Sequence, residues 1–463
     1  MAACSDSEEF SVSRADMLAF STDTLSLDTM FSNVPSATKS AWAYNRTGKT
    51  LRCTSVRMAG GNQSGFRANV DGAYLGPDNG YSAPNVDIAP GDSIRIYAEA
   101  TTPANLAPHP VEHTDEIVFT LSNGNVQSIR LSAWGWDAMA LRDKRVAGDE
   151  TIGAATPIVV YGGITVDSAA TLTIAPGTTL YFHAGAGIDV AGTLLCKGEP
   201  GREVVLRGDR LDKMFDYLPY DNVSGQWEGV RLRGSSYGNV MEHTDLHGAF
   251  NGIVADSSDT SRPKLSMRAC TVHNCQGYGI AAHNSRTEME NCVVSNSQSG
   301  CLAVFGGSLE ANACTMAQFY PFAGAVGPAL RFNANPHPLL SLRIGNSIVT
   351  GYSDDEITGE KPDGDTPFNY SFSHCILRTP EVETEDSINF REVEYEDPAD
   401  TAKYGRKHFR QVDLDLQRYD FRLAAGSAAI GKADPATAPA DDRGGGGRDT
   451  LPDLGAYEWR EEQ

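Results

Sequence analysis

Positive charge is scarce in this chain, long apolar runs are missing, and cysteine is neither frequent nor closely spaced. The 463 residues carry 38 Lys and Arg against 60 Asp and Glu, a formal net charge of −22. Such a field repels phosphate, which argues against nucleic acid or an anionic membrane surface as the main partner. No stretch approaches the roughly 18 apolar residues of a membrane-spanning helix. Nine Cys are too few for a scaffold built on disulfides. None has CxxC spacing, no Cys/His group fits a zinc site, and the odd total leaves at least one thiol unpaired or modified. Glycine is plentiful instead, at 46 residues, and 40% of the chain is hydrophobic. That is an ordinary globular composition, long enough for two or three domains or for one long solenoid with a companion.

Residues 10–148 read as short strands separated by Gly, Asn and Pro. Candidates are Ser40 to Tyr44, Leu51 to Met58, Ser93 to Ala98, Glu116 to Leu121 and Val126 to Ala133. Asn45-Arg46-Thr47-Gly48 and Ser122-Asn123-Gly124-Asn125 are hairpin connections, where Gly and Asn tolerate positive φ. Strands at this spacing, with no helical pattern between them, predict a two-sheet sandwich. Ala89-Pro90-Gly91-Asp92-Ser93 and Asn123-Gly124-Asn125-Val126 resemble the immunoglobulin-like modules of bacterial surface proteins, which space or present a neighbour. No constellation in this region carries chemistry.

From about residue 149 the pattern changes, and the chain aligns with itself. Ala269-Cys270-Thr271-Val272-His273-Asn274 matches Asn291-Cys292-Val293-Val294-Ser295-Asn296 and then Ala313-Cys314-Thr315-Met316-Ala317-Gln318, at an interval of 22 residues each time (292 − 270, 314 − 292). His243-Thr244-Asp245-Leu246-His247-Gly248 is a looser copy. Three short strands and three turns fill such a repeat, so it predicts a parallel β-helix over 149–380. Alternation sends Cys270 and Val272 inward and Thr271 and His273 outward. Cys270, Cys292 and Cys314 then form one interior column of small hydrophobes rather than a metal site. Met267, Met289 and Ala311 supply a second column, and Ile280, Leu302 and Leu330 a third. Asn274, Asn296 and Gln318 are expected to form an amide ladder, each donating to the next. Residues 381–463 are expected to cap the open end of the coil. Arg443-Gly444-Gly445-Gly446-Gly447-Arg448 reads as a flexible loop within that cap.

Leu172 to Thr178, Phe182 to Ile188, Arg207 to Leu211 and Gly225 to Gly229 resemble the first rungs of right-handed parallel β-helix lipoproteins of the Bacteroidota. Tyr419 to Leu423, Gly426 to Ile430 and Asp453 to Glu458 resemble their closing segment. Met1-Ala2-Ala3-Cys4, followed by Ser5-Asp6-Ser7-Glu8-Glu9, resembles the mature start of a bacterial lipoprotein with Cys4 as the lipidated residue. The acidic run resembles the export signal of surface lipoproteins in that phylum. The resemblance implies an outer-membrane-anchored protein at the cell surface, reaching the membrane only through its lipid. Its partners would be polysaccharide or outer-membrane proteins. More distantly, the solenoid is similar to pectin-lyase-like enzymes, which implies a polysaccharide lyase or hydrolase as the alternative to a non-catalytic binder. A structural or adhesive role in an outer-membrane assembly is the third reading.

Enzymes of that kind work on an outer sheet face, so outward columns of charge are the places to look. His243, Asp245 and His247 fall on one strand, all outward by alternation, with His273 stacked over His247. Such a set suits a base with an orienting carboxylate or a weak metal site. A second sheet carries Arg231 and Arg233, with Asp256 and His283 in the Arg233 column. His243, Asp245, His247 and Arg233 are the catalytic candidates. Gly208 to Trp227 leaves the repeat as a long turn bearing Asp209, Arg210, Tyr217, Tyr220, Asp221 and Trp227. Rings interleaved with charges suit sugar recognition, so these residues, with Arg231, His273 and His283, are the ligand-binding candidates. A second excursion, Gln318 to His337, adds Phe319, Tyr320, Phe322 and Arg331. Asp354 to Asp365 reads as a solvated acidic loop. No column offers three or four close carboxylates, so the pattern names no metal site and leaves only Ca²⁺ open as a cofactor.

Overall fold

The computed structural model describes residues 9–153 and 156–461, and Cys4 lies outside the described residues. Among the described residues there is no α-helix. The chain divides into two units, one reaching Ala138 and including Arg210–Met214, the other holding Met139–Asp209 and Phe215 onward.

Alternation builds the first unit. In Lys39–Asn45, Ala41 and Ala43 are buried while Trp42 between them is exposed, as a strand with one covered face requires. One five-stranded sheet runs Leu18–Phe20, Lys39–Asn45, Ser93–Ala100, Phe66–Val70, Ala73–Leu75. The other runs Thr24–Phe31, Val126–Trp136, Val111–Leu121, Leu51–Met58, Ser82–Ile88. Ile94, Ile96 and Ala98 of the first share one core with Ile117, Phe119 and Leu131 of the second. The unit is a two-sheet sandwich.

The second unit is a parallel β-helix. Each rung presents three strands in turn, as in Gly187–Val190, Thr193–Lys197 and Val204–Gly208, and each strand pairs in parallel with its counterpart on the next rung. These three stacks are the first, second and third sheets. On the third sheet, Leu180, Leu206, Leu246, Val272, Val294, Met316, Val349 and Leu377 succeed one another in register. All are buried, and each contributes roughly 1.5–3 kcal/mol by leaving water. The same register places Cys270, Cys292 and Cys314 in successive rungs, so the 22-residue interval is one turn of the coil. All eight described cysteines are free and buried, and burial pushes thiols such as Cys275 and Cys375 up to about 12.

Between the second and third sheets the chain bends at single residues with left-handed φ. His243, Ala269, Asn291, Ala313, Asn346 and His374 hold this position, with φ of 40, 55, 53, 51, 50 and 51°. The bend resets the alternation, which matters for the site below.

Three expectations need correcting. The amide trio makes no ladder among the described hydrogen bonds. The longer Gln318 reaches past its neighbour to donate to the carbonyls of Ser297 and Gly327, and Asn296 Oδ1 accepts from the Phe319 amide. Asp354 to Asp365 is not all solvated, because Ile357–Glu360 pairs with Leu330–Asn333 and Glu356 is fully buried. Arg331 therefore lies in a strand rather than a loop, and Phe319 and Tyr320 are buried.

Phe390–Tyr395 adds the last strand of the coil. The chain then runs back along the outer face of the third sheet. There Phe409, Phe421, Leu423, Ala429 and Leu454 pack on Val293, Ala317, Ile348 and Ile376. The glycine-rich segment is anchored rather than loose. Arg443 bonds Thr271 and Glu203, and the buried Arg448 pairs with Glu458 at 3.2 Å.

Candidate functional site

The returning tail leaves part of the third sheet uncovered. Asp245 and His247 stand two residues apart on Thr244–His247, so both side chains emerge on the outer face. His273 is in register with His247 on the next rung, and the two rings stack with centroids 4.7 Å apart. Asp221 arrives from the turn Tyr220–Asn222 at the end of the long excursion.

These groups form a chain in which carboxylates alternate with basic side chains. His247 Nδ1 lies 2.6 Å from Asp245 Oδ1, and Nε2 lies 2.7 Å from Asp221 Oδ1. Asp221 also pairs with Arg207 at 2.7 Å, and His273 Nε2 is 3.3 Å from Asp245. Trp227 Nε1 donates to the carbonyl of His247 at 2.8 Å and fixes the backbone beneath the ring. Burial by itself disfavours charge on His247, but Asp245 and Asp221 outweigh it and raise the pKa to about 9. Burial likewise opposes charge on Asp245, and the two imidazoles overcome it, holding the carboxyl well below its ordinary value. Asp221 is lowered too, by His247 and Arg207 against its burial.

A groove of about 580 Å³ opens beside this chain. Asp245, Thr271, His273 and Asn274 line its solenoid side, and Gln411, Gln417, Arg418, Tyr419, Arg443 and Tyr457 line the side made by the tail.

Asp245, His247, His273 and Asp221 are thus brought together, while His243 and Arg233 lie elsewhere. His243 precedes the strand, in the left-handed bend, so alternation does not carry it to the outer face. It is buried near Arg443, Arg268 and Glu203, with burial and the two arginines lowering its pKa. Arg233 is on the first sheet, in a bidentate pair with Asp189 at 2.6 and 2.5 Å. Arg231 pairs with Asp256 at 3.1 Å, and His283 stacks on Phe305. A second groove, of about 980 Å³, runs over these residues. Gly163, Gly187 and Gly229 line it and, with Gly252 and Gly279, fall at one position of successive rungs. A Cβ at Gly229 would sit 1.7 Å from the Asn251 carbonyl, so only glycine fits there.

Trp227 does not face a ligand, being 1% exposed and stacked on Phe182 at 4.2 Å. Its indole is part of the core. Tyr217 is exposed and stacks on Phe215. The Tyr220 carbonyl accepts from Gln226, Asp209 pairs with His183 at 2.7 Å, and Arg210 pairs with Asp212 at 2.6 Å. Sequence reasoning missed Arg207, Glu203 and the groove residues of the tail. Arg207 stands one rung before His247 in the same column, but the long excursion between them stretches that step to 40 residues (247 − 207), so the 22-residue interval does not mark it. Nothing in the sequence marks which tail residues return to it.

The family described as a right-handed beta helix region matches residues 159–316. These rungs form a right-handed β-helix. No curated protein matches the chain. Among solved structures it is similar to the VesB protease of Vibrio cholerae, at 12% identity over 25% of this chain and 31% of that one, with a TM-score of 0.18. It is also similar to a family 123 glycoside hydrolase from Clostridium perfringens, at 7% identity over 28% and 26% of the two chains, TM-score 0.18. A third is the catalytic unit of a GH87 alpha-1,3-glucanase from Streptomyces thermodiastaticus, at 10% identity over 77% and 89%, TM-score 0.18. The chain spans less than a third of the length of the first two.

Proposed function

We propose that the protein is a cell-surface lipoprotein, anchored through Cys4, that holds a polysaccharide chain in the groove beside His273 without cleaving it. One observation carries the non-catalytic part. Both ring nitrogens of His247 are engaged by carboxylates, at 2.6 and 2.7 Å, so neither is free to take a proton from a substrate, as a general base must. The groove itself suits sugar. Tyr419 and Tyr457 offer ring surface, and Gln411, Arg418 and Asn274 offer donors for hydroxyls. The acidic net charge of −22 favours a neutral glycan over a strongly anionic one.

Affinity electrophoresis over a panel of neutral and uronate-containing polysaccharides tests the reading, with parallel assays for new reducing ends and unsaturated uronates. Retention on a neutral glycan is expected, weakened in Arg418→Ala and Gln411→Ala, with no product formed. Absence of retention across the panel would sink the binding claim, and product formation would replace it with the lyase or hydrolase reading.

A further inference from the structure

We propose that Asp245, His247 and His273 form a binding site for one divalent transition-metal ion, with Asp221 steadying the His247 ring from behind. One carboxylate oxygen and two imidazole nitrogens from these residues all lie within 4.8 Å of one another. They come from adjacent rungs in fixed register, Asp245 and His247 on one and His273 on the next, so the sheet itself sets their spacing. Asp245 Oδ1 is already shared, 2.6 Å from His247 Nδ1 and 3.3 Å from His273 Nε2. Donors around a four-coordinate ion with bonds of about 2.0–2.2 Å stand roughly 3 Å or a little more apart, so the slot needs only slight widening.

The second observation is the far side of His247. Its Nε2 is held by Asp221 at 2.7 Å, and Asp221 is held in turn by Arg207 at 2.7 Å. A carboxylate on the remote nitrogen is the arrangement that orients a metal-binding imidazole and raises its basicity. The indole of Trp227 fixes the main chain at the same residue. Two nitrogens and one oxygen form a donor set for Zn²⁺ or its neighbours, not for Ca²⁺, which takes six or more oxygens. The remaining coordination position faces the groove, where water or a ligand oxygen completes it. The site does not depend on glycan recognition.

Titrating chelator-treated, tag-free full-length protein with Co²⁺ and with Zn²⁺ tests it. One equivalent is expected to bind, with the visible d–d absorption of low-coordinate Co²⁺ that Zn²⁺ then bleaches. His273→Gln and Asp245→Ala should abolish that spectrum, and Asp221→Asn should weaken affinity about 10–100-fold while keeping it. Thermal unfolding of each apo variant confirms that loss of binding is not loss of fold. A wild-type spectrum in His273→Gln, no bound equivalent in the wild type, or preference for Ca²⁺ would each overturn the proposal.

Discussion

Two networks of imidazole, carboxylate and guanidinium are built on the outer face of the third sheet, and they differ in what covers them. Near one end Arg207, Asp221, His247, Asp245 and His273 follow one another beside an open groove. Near the other, Arg378 and His408 pair with Glu396 at 3.0 and 2.9 Å, and Thr350 Oγ1 donates to it at 3.1 Å. Glu396 and His408 are fully buried, under the tail. The rows between them change accordingly. Asp245 and Thr271 give way to Val293 and, farther on, to Ile348 and Ile376 at the same position. The same chemistry is therefore a clasp where it is sealed, and where it is not it borders an open groove. Covering, rather than residue type, separates the two roles.

Breaking the clasp should have the largest effect. Glu396→Ala strands the Arg378 guanidinium without a counter-charge and takes the carboxylate partner from His408, which is expected to cost about 3–5 kcal/mol. Denaturant unfolding measures it, and limited proteolysis should show the tail released. An intact, protected tail would mean that the sealed network holds nothing. Glu356, in the covered half, comes next. It accepts from the Ala329 and Ser353 amides, and burial raises its pKa to about 7 from an ordinary 4.5. The folded chain therefore keeps a proton that the unfolded chain releases. Stability from this group is present below about pH 4.5 and falls as pH rises to about 7, by an amount on the order of 3 kcal/mol. Unfolding midpoints across that window should lose this slope in Glu356→Gln. Asp221→Asn sharpens the comparison from the open side, since solvent compensates there. About 1 kcal/mol is expected, with the tail still protease-resistant. His273→Gln should be smallest, within about 0.5 kcal/mol by calorimetry, although it removes one donor of the proposed metal site.

The inward columns were legible because identical spacing forces identical environments, and Cys270, Cys292 and Cys314 advertise it. The His247–His273 stack followed from the looser copy of the motif at 243–248, one turn of 26 residues earlier (273 − 247). His243 did not, because one left-handed residue interrupts the period-two pattern without any mark in composition. In the sandwich, Thr24–Phe31 and Ser82–Ile88 were hidden for a similar reason. Asp28 and Asn85 take positive φ within them, and Pro84 interrupts the second. Trp227 was misjudged because an indole in a long excursion reads as exposed until a partner such as Phe182 is known. The tail's return was invisible, since the contact of Arg443 with Glu203 spans 240 residues. Its trace was nonetheless there, in the apolar Val293 and Ala317 at positions where a bare face would carry polar side chains.

The interior thiols give the molecule a gauge of its own opening. Every described cysteine is hidden, seven of them spaced along the coil from Cys196 to Cys375 and one, Cys53, inside the sandwich. With Cys4 blocked, a thiol-reactive dye stays dark on the native chain, and the order in which sulfurs become labelled under mild denaturant traces the path by which the coil unwinds.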